Sequence, residues 1–328
     1  MPDLPELSIV LPMYNESAGA RDCVARIEAA LVDIGRSYEI VCVDDGSGDG
    51  TGALLDDMAV SDPALLVVHL SRNFGKEAAL TAGLEAASGA AVILMDADLQ
   101  HPPTLLATLV QQWDAGQDVV EAVKRRRGHE RLPYRVAAWV FYSLMGRAVG
   151  GSMQGSSDFK LLDRQVVDAL LACKERARFL RGLVAWVGFR VARVPFDVQP
   201  RASGASAWST WGLIRYSARN LVAFSTVPLH VVAWLGAITT LLGAGLAVQT
   251  LWRWMSGQAV SGFTTVILLD LLLGGAILLA LGVLAVYLAR IADEQKARPL
   301  YLVRAPRRPR VAAVTPEAGR GPEARDRA

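Results

Sequence analysis

The apolar run Val92-Ile93-Leu94-Met95 ends in Asp96-Ala97-Asp98-Leu99-Gln100, and Pro102-Pro103 close the segment. Four successive apolar residues are the pattern of a strand buried on both faces, and the proline pair takes the chain out of regular structure. The two carboxylates, one residue apart, therefore stand at the carboxyl end of a strand, which is where open α/β sheets bind ligands. Hard oxygen donors at this spacing suit Mg2+ or Mn2+ held against a diphosphate.

Asp-x-Asp alone is common in solvated turns, so its weight depends on what accompanies it. Leu7-Ser8-Ile9-Val10-Leu11 is a second apolar strand that breaks at Pro12 into Met13-Tyr14-Asn15-Glu16. Tyr38-Glu39-Ile40-Val41-Cys42-Val43 ends in Asp44-Asp45, and the turn Gly46-Ser47-Gly48-Asp49-Gly50-Thr51 after it can start a helix. Three strands thus deliver Asn/Glu, Asp/Asp and Asp/Asp to one rim. The glycines do not follow the Gly-x-Gly-x-x-Gly spacing, and the acids precede them, where they would repel a pyrophosphate unless a metal intervened. With no Gly-Lys-Ser/Thr either, a dinucleotide dehydrogenase and a P-loop ATPase are poor rivals. The three cysteines, Cys23, Cys42 and Cys173, and the four histidines are scattered, which gives no basis for a zinc site or a Ser-His-Asp triad.

These elements belong to a chain of two characters. Its 328 residues suffice for a catalytic domain plus an appendage, and its 52% hydrophobic content is high for a soluble protein. The excess is concentrated: Asn220 to Trp252 and Leu271 to Ala289 contain no Asp, Glu, Lys or Arg. Each block is long enough to cross a hydrocarbon core of about 30 Å at about 1.5 Å per residue, which predicts transmembrane helices over 227–251 and 264–288. Arg215 and Arg219 precede the first span and Arg290, Lys296 and Arg298 follow the second, whereas only Arg253 lies between them. The positive-inside rule then puts both ends in the cytoplasm. The start Met1 to Glu6 has no signal-peptide core, so the N-terminal domain is expected on the same side. Trp252 and Trp254 suit an aromatic belt, and Asp270 is expected near the interface, against another helix, or protonated.

A net charge of +2 does not indicate nucleic acid, but its distribution is uneven. Lys124 through Arg135 set six basic residues against Glu130. Such a run is ordinarily a solvated face; on a membrane-tethered protein it can meet anionic headgroups or a lipid phosphate. Within 201–226, Trp208, Trp211, Leu213, Ile214, Tyr216 and Leu221 interleave with Arg215 and Arg219, the pattern of an interfacial amphipathic helix. The Pro-, Arg-, Ala- and Glu-rich 305–328 is expected to be a disordered tail.

Several segments recur in one known order: Pro12-Met13-Tyr14-Asn15-Glu16, Val43-Asp44-Asp45-Gly46-Ser47, Ser71-Arg72-Asn73-Phe74-Gly75-Lys76, Asp96-Ala97-Asp98-Leu99-Gln100, Asp158-Phe159-Lys160-Leu161-Leu162-Asp163-Arg164 and Phe179-Leu180-Arg181-Gly182. On these the chain resembles a family 2 glycosyltransferase, and within that family the polyprenyl-phosphate glycosyltransferases, including dolichol-phosphate mannose synthase and the GtrB-like bactoprenol glucosyl transferases. The resemblance runs to about Arg304. It implies an α/β GT-A fold, with a Rossmann-like, mostly parallel sheet in a catalytic domain over 1–200, followed by the interfacial helices and two C-terminal membrane spans.

The resemblance also assigns roles. Pro12, Tyr14, Glu16, Asp44, Asp45 and Asp96 would bind the nucleotide; Asp96 and Asp98, with Gln100, would hold Mg2+ or Mn2+. Lys124, Arg125, Arg127, Arg135 and Arg201 would bind the acceptor phosphate. Asp158 would join Asp96 and Asp98 as a catalytic residue, either as base or by orienting the acceptor, although Ser157 stands where relatives often carry Gly. Lys76 and Arg72 would contact the diphosphate or acceptor, or form a structural ion pair. The implied reaction is an inverting transfer of a sugar from a nucleotide-sugar to undecaprenyl or another polyprenyl phosphate, by a homo-oligomer in a bacterial plasma membrane. UDP-glucose is the first choice of donor; mannose from GDP-mannose or GlcNAc are alternatives. A processive polysaccharide synthase would need a Gln-x-x-Arg-Trp motif and more spans than are visible. A catalytically silent membrane scaffold would be expected to lose rim acids, and all four of Asp44, Asp45, Asp96 and Asp98 are present.

Overall fold

The apolar runs form strands and the segments between them form helices in a computed structural model that describes residues 4–124, 156–176, 178–196, 227–257 and 262–304. In chain order the elements of the first half are β1 (Leu7–Met13), α1 (Ala20–Ile34), β2 (Tyr38–Asp44), α2 (Thr51–Ser61), β3 (Leu65–His69), α3 (Lys76–Ala86), β4 (Ala91–Leu94), α4 (Leu105–Asp114) and β5 (Val119–Lys124). Then follow β6 (Ser156–Asp163), α5 (Arg164–Ala172), α6 (Leu180–Trp186), β7 (Val191–Phe196) and two long helices, α7 (Val227–Met255) and α8 (Phe263–Gln295). Arg125, Arg127, Arg135 and Arg201, the interfacial segment 201–226 and the tail 305–328 lie outside the described residues.

The seven strands form one sheet in the order β3-β2-β1-β4-β6-β5-β7. β1 pairs in parallel with β2 on one side and β4 on the other, so the strand order reverses beside β1. Such a switch point opens a crevice at the carboxyl ends of the flanking strands. Period-two alternation splits the core in two. Leu7, Ile9, Leu11 and Met13 pack with Cys23, Val24, Ile27 and Leu31 of α1 on one face. Val10, Val41 and Val43 pack with Ala79, Leu80 and Leu84 of α3 on the other. There α3 comes very close: a Cβ on Gly83 would lie 2.2 Å from Cγ1 of Val10, so only glycine lets the helix seat on β1.

β6 runs antiparallel to β4 with Leu94 opposite Lys160. Two residues beyond each of these are Asp96 and Asp158, which the register therefore carries to the same place. Ser157 does not face the crevice. Its buried hydroxyl donates to the Ala122 carbonyl at 2.5 Å, beside the register shift between Glu121 and Val123.

The predicted spans 227–251 and 264–288 fall inside α7 and α8, and both helices run further. Leu229–Met255 and Leu272–Gln295 are long and apolar enough to cross a membrane, with mean hydropathy 2.0 and 2.5 and none of the window covered by protein. Asp270 precedes the second of these windows and is exposed. After α8 the chain returns to the N-terminal domain, whose end the sequence reading sets at residue 200. The Ser71 N–H donates to the Leu302 carbonyl (2.8 Å) and the Arg304 N–H to the His69 carbonyl (2.7 Å), flanking an antiparallel bridge between Leu70 and Val303.

Candidate active site

The carboxyl ends of β1, β2 and β4 border a cleft of about 310 Å³. Pro12, Met13, Tyr14 and Glu16 line it from the end of β1, Asp45 from β2, and Asp96, Ala97 and Asp98 from β4. Asn73, Gly75, Lys76 and Ala79, from the entry to α3, complete the wall.

Asp45 is fixed by two backbone donors, the N–H groups of Phe74 (2.7 Å) and Gly75 (2.9 Å). Burial raises its pKa, and these donors work against that shift. Gly46 makes the approach possible. Its φ is +68°, and a Cβ would lie 2.4 Å from the carbonyl carbon of Arg72, so a side chain would drive the loop off Asp45. The Arg72 guanidinium sits 4.2 Å from the centre of the Phe74 ring and bonds the Asn73 carbonyl, which places it outside the cleft lining.

Asp44 is buried and is also absent from the lining. Its Oδ1 accepts the Ser47 N–H (2.9 Å), and its Oδ2 is 3.1 Å from Nδ1 of His69, whose Nε2 is 2.9 Å from Oδ1 of Asp56 on α2. Burial disfavours the imidazolium, but the hydrogen bonds to Asp56 and Asp44 outweigh it and His69 is raised above its ordinary pKa. The His69 imidazole is thus held between two carboxylates, Asp56 on α2 and Asp44 just behind the cleft.

Lys76 gathers the opposite wall. Its Nζ lies 2.6 Å from Oδ1 of Asp96 and 2.6 Å from Oδ2 of Asp158. Arg181 grips Asp158 with Nε on Oδ1 (2.5 Å) and Nη2 on Oδ2 (2.7 Å), a bidentate fork. Burial opposes ionisation of Asp158, yet Arg181 and Lys76 overcome it and hold the carboxyl well below its usual range. Burial likewise opposes the charge on Lys76, and Asp158 and Asp96 raise its pKa in spite of it. Glu77 stands behind: its Oε2 accepts the Leu180 N–H at the start of α6 (2.9 Å), the helix that carries Arg181. Burial, with the Asp158 charge adding to it, pushes Glu77 up to about 7.

At the β4 end, Oδ1 of Asp98 accepts the Gln100 N–H (3.1 Å) across Leu99, whose φ of +54° is unusual for a branched residue. Strain of this kind persists where the surroundings over-determine it, often at ligand sites. Among the described residues no three His, Cys, Asp or Glu side chains cluster at metal-binding range. Asp96 and Asp98 supply two hard oxygen donors beside an open cleft. That set fits Mg2+ or Mn2+, which commonly takes one or two carboxylates and completes its shell with water and substrate phosphates. The Gln100 side chain is half-buried and does not line the cleft.

The structure therefore brings Pro12, Tyr14, Glu16, Asp45, Asp96 and Asp98 to one cleft, sets Asp44 just behind it, and joins Asp158 to it through Lys76. Lys124 is the last residue of β5, opposite Phe196. Sequence reasoning gave no role to His69, Glu77 or Arg181. Arg181 lies in Phe179-Leu180-Arg181-Gly182, but no local pattern announces a histidine that joins the ends of β2 and β3 to α2.

A mixed α/β sheet with acids at a switch-point cleft and two apolar helices after it has the architecture of a GT-A glycosyltransferase. The chain belongs to glycosyl transferase family 2, whose profile matches residues 8–171. It is 43% identical to an uncharacterised glycosyltransferase of Synechocystis over 91% of this chain and 94% of that one. It is 35% identical to the bactoprenol glucosyl transferase of Shigella phage SfV over 91% and 98%, respectively. Among solved structures, glucosyl-3-phosphoglycerate synthase of Mycobacterium tuberculosis is similar at 24% identity, with a TM-score of 0.46 over 67% of this chain and 79% of that one.

Proposed function

We propose that this glycosyltransferase moves a sugar, glucose from UDP-glucose in the first instance, onto the phosphate of undecaprenyl phosphate or a related polyprenyl phosphate at the cytoplasmic face of a bacterial membrane. The observation that carries this reading is the junction of one carboxylate-lined cleft with two lipid-compatible helices in a chain similar to bactoprenol glucosyl transferases along nearly its whole length. Basic residues flank the two helices on their outer sides, which supports a cytoplasmic catalytic domain.

Tyr14, half exposed at the cleft mouth, suits stacking on a nucleobase, with Asp45, Pro12 and Glu16 beside it, while the buried Asp44 shapes the pocket from behind the lining. A divalent ion held by Asp96 and Asp98 would act as a Lewis acid on the departing diphosphate. Lys76, on the same wall, supplies a fixed positive charge where negative charge develops. The attacking atom is a phosphate oxygen, already ionised at neutral pH, so it requires positioning more than proton removal. A carboxyl held as low as Asp158 is a weak base. Asp158 accordingly serves by holding Lys76 and Arg181 in place, and the basic residues Lys124, Arg125, Arg127, Arg135 and Arg201 receive the acceptor phosphate. In-line displacement gives a β-linked product from an α-linked donor.

Washed membranes containing the protein, supplied with radiolabelled UDP-glucose and undecaprenyl phosphate, test the proposal. The expected result is label in a lipid-extractable product that depends on added polyprenyl phosphate. Label in polymer, or none with any of UDP-glucose, UDP-GlcNAc and GDP-mannose, overturns it.

A further inference from the structure

The segment after the second apolar helix forms a short strap on the donor side of the cleft. β3 is the edge strand of the sheet, and the chain leaving it runs through Ser71 and Arg72 to the Phe74 and Gly75 N–H groups that hold Asp45. The next residue is Lys76. Onto the end of this strand the strap lays an antiparallel bridge, Leu70 opposite Val303, closed by Ser71 N–H to Leu302 C=O and Arg304 N–H to His69 C=O. Tyr301 anchors the strap: its ring packs on the core beneath α3 and its hydroxyl donates to Oε2 of Glu85 (2.5 Å). Upstream, Arg176 bonds the backbone carbonyl of Asp293 near the end of α8 (3.1 Å).

Two hydrogen bonds of the strap therefore land on the two residues from which the nucleotide wall is suspended. His69, whose carbonyl receives Arg304, clamps Asp44 with its imidazole. Ser71, which donates to Leu302, begins the loop whose Arg72 backbone abuts Gly46 and whose end fixes Asp45. An edge strand paired on its open side loses freedom that an unpaired edge keeps.

We infer that Leu302 to Arg304 are positioning residues for donor binding: the strap leaving the second membrane helix holds the His69–Gly75 segment in its binding conformation. This rests on the reading of the cleft as the nucleotide-sugar site.

Two substitutions at one position isolate the bond in the full-length protein in membranes. Arg304→Ala keeps the N–H that reaches His69, whereas Arg304→Pro removes it and still allows the extended conformation of Val303. Arg304→Pro should raise the KM for UDP-glucose and the Kd for UDP by about tenfold, the scale of one lost hydrogen bond in a positioned loop, with kcat at saturating donor little changed. Arg304→Ala should behave as the wild type. Leu70 and Val303 form a non-hydrogen-bonded antiparallel pair, the closer kind, which suits a disulfide. Oxidising Leu70→Cys/Val303→Cys in the Arg304→Pro background should therefore restore the donor KM, and reductant should abolish the rescue. Equal KM values for the Pro and Ala variants, or a defect that oxidation leaves untouched, overturn the inference. Failure of the wild type itself to bind UDP overturns instead the donor-site reading on which it rests.

Discussion

The ammonium nitrogen of Lys76 lies 2.6 Å from Oδ1 of Asp96, so the acid assigned to the metal also faces a fixed cation. The same nitrogen reaches Asp158 at 2.6 Å, and the two acids differ in setting: the Asp96 side chain is 28% exposed and that of Asp158 is 12% exposed. Asp96 is open to a ligand, and Asp158 is enclosed by its partners. Substitutions should separate the two.

Asp96→Asn and Asp98→Asn should each lower kcat by at least about a hundredfold, since on the proposed mechanism each would remove a ligand of the divalent ion that would neutralise the leaving group. Folding should be nearly unaffected because both side chains stand at the cleft. Thermal melts beside transfer assays check this, and excess EDTA should reproduce the loss in the wild type, with recovery on adding Mn2+ or Mg2+. Wild-type turnover in EDTA would refute the metal assignment.

Asp158→Asn should behave differently. It leaves Lys76 and Arg181 without the carboxylate they share, and breaking a buried ion pair from one side costs on the order of 3 kcal/mol. A clearly lowered melting temperature is expected together with lost activity. A stable but inactive Asp158→Asn protein would instead favour a direct chemical role for this acid.

Glu77 supplies a pH test. Its carboxyl is raised from 4.5 to about 7 in the fold, so the folded state binds its proton more tightly than the unfolded chain does. The sign follows: stability declines as pH rises from the unfolded value through about 7 and is then level. Glu77→Gln can still accept the Leu180 N–H through its amide oxygen but does not titrate. It should match the wild type near pH 4 and exceed it in thermal stability at about pH 8; equal melting temperatures at the higher pH would count against a strained carboxylate.

His69 titrates in the same direction, for a different reason: Glu77 is raised by burial of its charge, His69 by the hydrogen bonds its cation makes. Its raised pKa means that the imidazolium gains from Asp44 and Asp56 in the fold, a contribution complete below the ordinary histidine pKa and lost as pH rises through the folded value. The donor KM should climb over that upper range as Asp44 loses its cationic clamp. His69→Gln should show a higher KM that is flat with pH, and a wild-type KM independent of pH there would exclude the clamp.

Much of this was legible in the sequence because it is local. Apolar runs that end in Asn-Glu, Asp-Asp and Asp-x-Asp fix strands with acids at their ends, and charge-free blocks fix helices that suit lipid; both follow from the order of side chains along a few turns of chain. Sequence separation hid the rest. Only the antiparallel register of β4 and β6 sets Asp158 against Asp96 and lets Lys76 join them, which places the candidate base between two cations. The clamp of His69 on Asp44 and Asp56, the hold of Glu77 on Leu180, and the return of Leu302 to Arg304 onto the β3 edge likewise depend on tertiary packing. Residue types can announce that a charge is present, but distance and burial decide which partner it meets and what it can then do.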